Sequence, residues 1–91
     1  MRIADVPMVT MRYWAAAKQA AGVAEERVAA ATLAEAVAEA TAKRPSAAEF
    51  AAVLARSSFL VDGEQAGRRG QAEVVLGEGA VVEVLPPFAG G

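Results

Sequence analysis

The group in this sequence best placed to react is the carboxylate at the end of Leu85-Pro86-Pro87-Phe88-Ala89-Gly90-Gly91. A carboxylate is a poor acyl donor until it is activated. Adenylation by ATP would make Gly91 such a donor, open to a sulfur or nitrogen nucleophile. An activating enzyme would thread this end into a narrow channel, which small residues such as Ala89, Gly90 and Gly91 fit. Pro86 and Pro87 favour a stiff polyproline II segment, which holds the end away from the body and lowers the entropy lost on insertion. Phe88 offers an apolar anchor for a partner's groove. From Pro86 to Gly91, at roughly 3.3 Å per residue, the segment reaches about 20 Å. The same residues also describe a frayed terminus, and on chemistry alone the two readings stand level.

The other candidates are weaker. The sequence has no histidine and no cysteine, so it lacks the commonest general base, the commonest metal ligand and any thiol nucleophile. Ser46, Ser57 and Ser58 therefore have no histidine to activate them, and Ser46 reads as a helix cap. Glu25 with Glu26, and Asp62 with Glu64, are close carboxylates on segments that read as surface, where solvated charge is expected. Gly67-x-x-Gly70 and Gly77-x-Gly79 lie between no strand and helix as a phosphate-binding loop requires, and read as turns. Arg68-Arg69 reads as a solvated loop that could meet an acidic partner. The body is thus expected to hold and dock the end, with no catalysis of its own, no metal and no bound cofactor.

Composition narrows the class. Ninety-one residues, 55% hydrophobic and 22% charged, suit one small globular domain with a modest core. A net charge of -2 argues against a nucleic-acid module. No apolar run approaches the roughly 18 residues of a membrane span. Met1 to Pro7 lacks the apolar region of a signal peptide, so the expected location is the cytoplasm.

The elements that must position the end follow in order. Met8 to Trp14 alternates as a strand, with Val9, Met11 and Tyr13 on one face and Thr10, Arg12 and Trp14 on the other. Ala15 to Ala21 predicts a short helix stopped by Gly22, and Glu25 to Ala31 a short strand. Thr32-Leu33-Ala34-Glu35 is a capping box opening a helix to about Arg44, with Leu33, Val37 and Ala40 buried beside Ala36. Glu39 and Lys43 have the spacing of an ion pair. Pro45 ends this helix. Ser46-Ala47-Ala48-Glu49 repeats the capping pattern before a second helix to about Arg56, which presents Phe50, Val53 and Leu54. Ser58 to Val61 and Glu64 to Ala66 predict a hairpin about Asp62-Gly63. Gln71 to Leu76 predicts a short extended piece. Ala80 to Leu85, apolar on both faces, predicts a central strand buried on both sides. The expected fold class is α+β: a mixed sheet of four to five strands with helices packed on one face. Residues 1–85 would form the domain, with 1–7 a loose extension and 86–91 a flexible tail.

Pro86-Pro87-Phe88-Ala89-Gly90-Gly91 after a valine-rich strand resembles the C-terminus of the MoaD/ThiS sulfur-carrier family. The resemblance covers nearly the whole chain from Val9. It includes the strand running into an alanine-rich helix, the Thr32-capped helix, Val61-Asp62-Gly63, and Leu76-Gly77-Glu78-Gly79 before the last strand. The Pro-Pro-x-x-Gly-Gly form favours the molybdopterin branch. The resemblance implies a ubiquitin-like β-grasp. It also implies that Gly91 is adenylated by a ubiquitin-activating-like enzyme that uses ATP and works with a sulfurtransferase, and that it becomes a thiocarboxylate. The tail would then enter the large subunit of molybdopterin synthase, in a heterotetramer, and give its sulfur to cyclic pyranopterin monophosphate. The same chemistry serving thiamine or cysteine synthesis, a ubiquitin-like protein modifier, and a passive binding module are the alternatives. Two features depart from the family pattern: a more basic loop from Gly67 to Gln71, and the first seven residues.

Overall fold

A computed structural model describes residues 6–67 and 70–87. The period-2 pattern of Met8 to Tyr13 forms strand β1, whose side chains alternate between half-buried and buried. Trp14 leaves the ladder and caps α1, Ala15–Ala21, which Gly22 closes in the left-handed conformation at φ 82°. Strand β2, Glu25–Ala29, returns antiparallel to β1. Helices α2, Leu33–Ala42, and α3, Ala47–Ala55, follow. Strands β3, Ser58–Val61, and β4, Glu64–Gln65, form the expected hairpin. Asp62 at φ 51° and Gly63 at φ 87° give the two left-handed residues such a turn requires. A single 3-10 turn, Gln71–Glu73, precedes β5, Val81–Leu85.

The five strands form one mixed sheet in the order β2-β1-β5-β3-β4. The last strand lies between the first and the third, parallel to β1 and antiparallel to β3. Val9, Met11, Tyr13, Val28, Phe59, Val82 and Val84 point to the covered face. There they meet Ala17, Leu33, Ala36, Ala40, Phe50, Val53 and Leu54 of the helices. This is the α+β architecture that the sequence predicts, a mixed sheet with helices packed on one face.

Several local expectations change. The two capping patterns behave differently. Thr32 accepts a hydrogen bond from the Glu35 N–H at 3.2 Å, and Glu35 reaches back to the Ala31 N–H at 2.8 Å. Ser46 makes no such bond. Thr32 is held extended (φ -136°, ψ 163°) and bridges Val75, which is the geometry a cap needs. Ser46, at ψ 52°, has no bridge of that kind and falls outside it. Helix α2 buries Ala36 fully and Val37 only in part. Lys43 pairs with Glu26 at 3.7 Å rather than with Glu39. Strand β5 is central as expected, but not buried on both sides. Val81, Glu83 and Leu85 face outward and stay half-exposed, because all three helices pack on the other face. In place of one extended piece, Gln71 to Leu76 holds the 3-10 turn and the single bridge at Val75.

Candidate functional site

The base of the tail is built by the two central strands. The register pairs Tyr13 with Val84, and the Trp14 N–H donates to the Val84 carbonyl at 3.2 Å. Because β1 and β5 are parallel, both chains leave the sheet at the same end. One turns into α1 and the other continues as Pro86-Pro87. Proline offers no N–H to a ladder, so β5 stops at Leu85. Pro86 is buried and Pro87 exposed. Trp14, Ala15, Leu85 and Pro86 line an apolar cleft of about 400 Å³. Trp14 and Ala15 also line its neighbour, about 570 Å³, together with Lys18, Gln19, Gly22, Val23 and Ala24. Ala15 turns the corner at φ 50°, a left-handed conformation uncommon for residues other than glycine. Phe88, Ala89, Gly90 and Gly91 lie outside the described residues, as do Arg68 and Arg69.

A row of charge crosses the outer face of the sheet toward this base. Glu25 bonds Arg12 at 3.2 Å, Arg12 stands 3.9 Å from Glu83, and Glu83 accepts from the Trp14 indole at 3.2 Å. Apart from Glu83 these side chains are largely open to solvent, with Trp14 46% exposed. The outer face therefore presents an indole, half-exposed Leu85 and Leu60, and charges tied to one another beside the exit of the tail.

On the covered face a different polar group appears that the sequence reading missed. Glu26, expected to be solvated, accepts from the Tyr13 hydroxyl at 2.5 Å and from Arg44 at 2.8 Å. Arg44 also donates to the carbonyls of Ala40 and Ala21 and lies 4.4 Å over the Phe50 ring. Partial burial pushes the Glu26 carboxyl up, but bonds from Arg44 and Tyr13 and the charges of Arg44 and Lys43 outweigh it. The carboxyl is held below its usual range. Burial, then the bond to Glu26, pushes the Tyr13 phenol far above its ordinary value. The available signal was register. Glu26 alternates with Glu25 and Arg27 onto the side of Val28, and a charge there demands a partner. Asp62 likewise is no free carboxylate, since it accepts from the Val81 N–H at 2.9 Å.

Among the described residues, no group of three or more metal-ligating side chains assembles, and no helix is long and apolar enough to cross a membrane. At this end of the molecule the central strand β5 runs directly into Pro86-Pro87 beside an apolar surface that carries the Trp14 indole.

A model of the ThiS family matches residues 11–91. A comparison with curated protein sequences finds no match. Among solved structures, the small archaeal modifier protein 1 from Methanosarcina acetivorans superposes with a TM-score of 0.78 at 19% identity, over 94% of this chain and 98% of that one. A putative molybdopterin converting factor subunit 1 from Pyrococcus furiosus gives 0.71 at 24% identity, over 90% and 99%. A chain in the complex of subunits 1 and 2 of the molybdopterin-converting factor from Helicobacter pylori gives 0.64 at 20%, over 92% and 99%. Likeness at this identity shows the fold, the ubiquitin-like β-grasp.

Proposed function

Because the chain belongs to the ThiS family of ubiquitin-like sulfur carriers, we propose that it is the sulfur-carrying small subunit of a molybdopterin synthase. Gly91 is its reactive residue. An adenylating enzyme consumes ATP to form the Gly91 acyl-adenylate, and a sulfurtransferase then supplies sulfur to give the thiocarboxylate. The loaded tail enters the large subunit and donates sulfur to cyclic pyranopterin monophosphate. In this reading residues 1–85 are the domain and 86–91 the tail, and the chain supplies no catalytic group of its own. Pro86 and Pro87 aim the tail, Phe88 and Ala89 seat it, and Gly90 lets it pass. The outer sheet face at Trp14 and Leu85 is the surface beside which the partner closes.

The observation that carries this reading is the family match that runs to Gly91, on a chain whose central strand leads directly into Pro86-Pro87. The Helicobacter neighbour belongs to a complex of two subunits, which is the kind of assembly proposed. A second reading, attachment to lysines of other proteins, is favoured by the Methanosarcina neighbour, which is named a modifier.

Intact mass spectrometry decides between them after incubation with ATP, an adenylating enzyme and a sulfur donor. Replacement of oxygen by sulfur adds about 16 Da at the terminus, whereas conjugation gives adducts of the size of a target protein. Deleting Gly91, or adding one residue after it, should abolish the gain while leaving the unfolding transition in place. Sulfur loading that survives either change would overturn the assignment of Gly91.

A further inference from the structure

The sheet has two edges, and they are not alike. Strand β4, Glu64–Gln65, is two residues long, and β2, Glu25–Ala29, is five. A very short edge gives another chain little to pair with, whereas a longer one presents a row of unpaired backbone groups. The register identifies these groups on β2. The Tyr13 N–H donates to the Ala24 carbonyl at 2.8 Å, and the Ala30 N–H to the Pro7 carbonyl at 2.9 Å. Facing residues of an antiparallel pair alternate between bonded and unbonded, so Glu26 and Val28 also turn their backbone groups toward β1. Glu25, Arg27 and Ala29 turn theirs outward. Lys43 marks that direction, since its Nζ donates to the outward carbonyl of Arg27 at 3.4 Å. Among the described residues, no backbone group bonds to this edge.

Beside the edge lies a cleft of about 370 Å³, lined by Val6, Ala29, Glu35, Ala38 and Glu39. Val6, Ala29 and Ala38 give it apolar surface, and all three are exposed. Glu35 and Glu39 of α2 give it negative charge. Glu39 has no side-chain hydrogen bond or ion pair among the described residues. Glu35 commits one carboxylate oxygen to the Ala31 N–H. The cleft stands at the far end of the sheet from the tail, because Ala29 pairs with Met8 at the start of β1, while Val84 pairs with Tyr13 at its end. A second copy of the chain suits this edge poorly. Full-length two-fold pairing of β2 with itself would set Arg27 opposite the same arginine, and like charges directly opposite destabilise a pair. The negative rim calls instead for a positively charged partner.

We propose that β2 accepts an added strand from a partner protein, an extended segment whose side chains facing α2 are basic on either side of one apolar residue. Its backbone bonds the outward groups of Glu25, Arg27 and Ala29, and supplies affinity without regard to sequence. Alternate side chains of a strand share a face, so every second residue of the segment meets α2. The apolar one enters the cleft against Val6 and Ala38, and its basic neighbours on that face meet Glu35 and Glu39. Lys43 gives up its long bond to the Arg27 carbonyl, which then accepts from the added strand. A partner held here leaves Leu85 and Pro86 uncovered at the other end of the sheet.

The test titrates the isotope-labelled full chain with a capped Lys-Thr-Val-Thr-Lys peptide and follows amide shifts and hydrogen exchange by NMR. Resonances of β2 and of α2 around Ala38 should move. Exchange should slow at the Glu25, Arg27 and Ala29 amides, which are open in the free chain, whereas the Glu26 and Val28 amides are protected throughout. The same peptide with glutamate in place of lysine should bind at least about fivefold more weakly. Arg27→Pro removes an outward N–H and no bond to β1, and should weaken binding at least about tenfold. Should that change unfold the chain, Glu39→Lys at an exposed position carries the test, with an expected loss of about fivefold. No shift at about millimolar peptide, equal binding of the two peptides, shifts centred on Trp14 and Leu85, or self-association through β2 would each overturn the assignment. No step of the readout involves sulfur loading, so the result stands or falls apart from the carrier reading.

Discussion

Tyr13 and Trp14 are adjacent, as are Glu25 and Glu26, yet within each pair the two residues live in opposite surroundings. Tyr13 and Glu26 lie under the helices, bonded to each other and to Arg44. Trp14 and Glu25 lie on the open side, joined through Arg12 and Glu83 in contacts that water reaches. Strand alternation alone produces this division. The consequence is that one strand carries both a fastener and a display surface. The covered group ties β1 and β2 to the C-terminal end of α2 and to α1 through the Ala21 carbonyl. It fixes the frame from which β5 delivers the tail. The open group sits beside Leu85 and Pro86, and its solvent-screened contacts contribute little to the fold.

This contrast makes unequal demands on the two faces, and the largest effect should follow from removing Arg44. Its side chain is 9% exposed, and without it Glu26 would keep a half-buried charge with only Lys43 nearby. Removing one member of a buried pair costs about 3 kcal/mol. The stacking on Phe50 at 4.4 Å and the T-shaped contact of Tyr13 with Phe50 would loosen as well. Arg44→Ala should therefore lower the melting temperature by at least about 10 °C. Thermal unfolding reads the shift and chemical denaturation of the two chains the free energy, and a loss below about 1 kcal/mol would mean that the clamp is no stronger than a surface pair.

A smaller effect tests the same group through pH. The Glu26 carboxyl titrates lower in the folded chain than in the unfolded one. As the pH falls, the unfolded chain takes up this proton first. The contribution of Glu26 is thus complete above the ordinary carboxylate range, near pH 4.3, and is lost progressively as the pH falls toward the lower folded value. Glu26→Gln cannot titrate. It should be less stable than the parent at neutral pH, and the gap should narrow as the medium is acidified. A gap independent of pH would show that Glu26 acts by shape and hydrogen bonding rather than by charge.

How much of this was legible in the sequence follows the same division. Period-2 alternation placed Val9, Met11 and Tyr13 inward and Arg12 outward. The letters of the capping box at Thr32 and the Asp62-Gly63 turn were also readable, because they lie close in the chain, whereas the last strand is central as expected but with one buried face rather than two. Glu26 with Arg44 was not read, because the partners are separated by a helix and no local pattern joins them. Ser46 shows the reverse error. Its letters match those at Thr32, but capping needs an extended backbone, and Thr32 owes that to a bridge with Val75 far along the chain. Composition left the terminal carboxylate as the candidate reactive group. It did not reveal that Pro86 is buried beside Trp14 while Pro87 is exposed, which depends on the parallel pairing of β1 with β5.

The smallest effect belongs to the outer row, and it is the sharpest test of the comparison. Arg12 and Glu83 stand 3.9 Å apart with 42% and 21% of their side chains exposed. Screened by water, such a pair is worth at most about 1 kcal/mol. A double-mutant cycle with Arg12→Ala and Glu83→Ala isolates that coupling from the loss of each side chain's other contacts. Glu83 also accepts from the Trp14 indole and Arg12 also bonds Glu25, so the single changes carry costs that the cycle removes. If the outer face serves display, the coupling measured by urea unfolding should stay below about 1 kcal/mol. The same substitutions should weaken complex formation with a large subunit far more than they weaken the fold. A coupling as large as that of Glu26 with Arg44 would make the two faces equivalent fasteners, and the division of labour along β1 would fail.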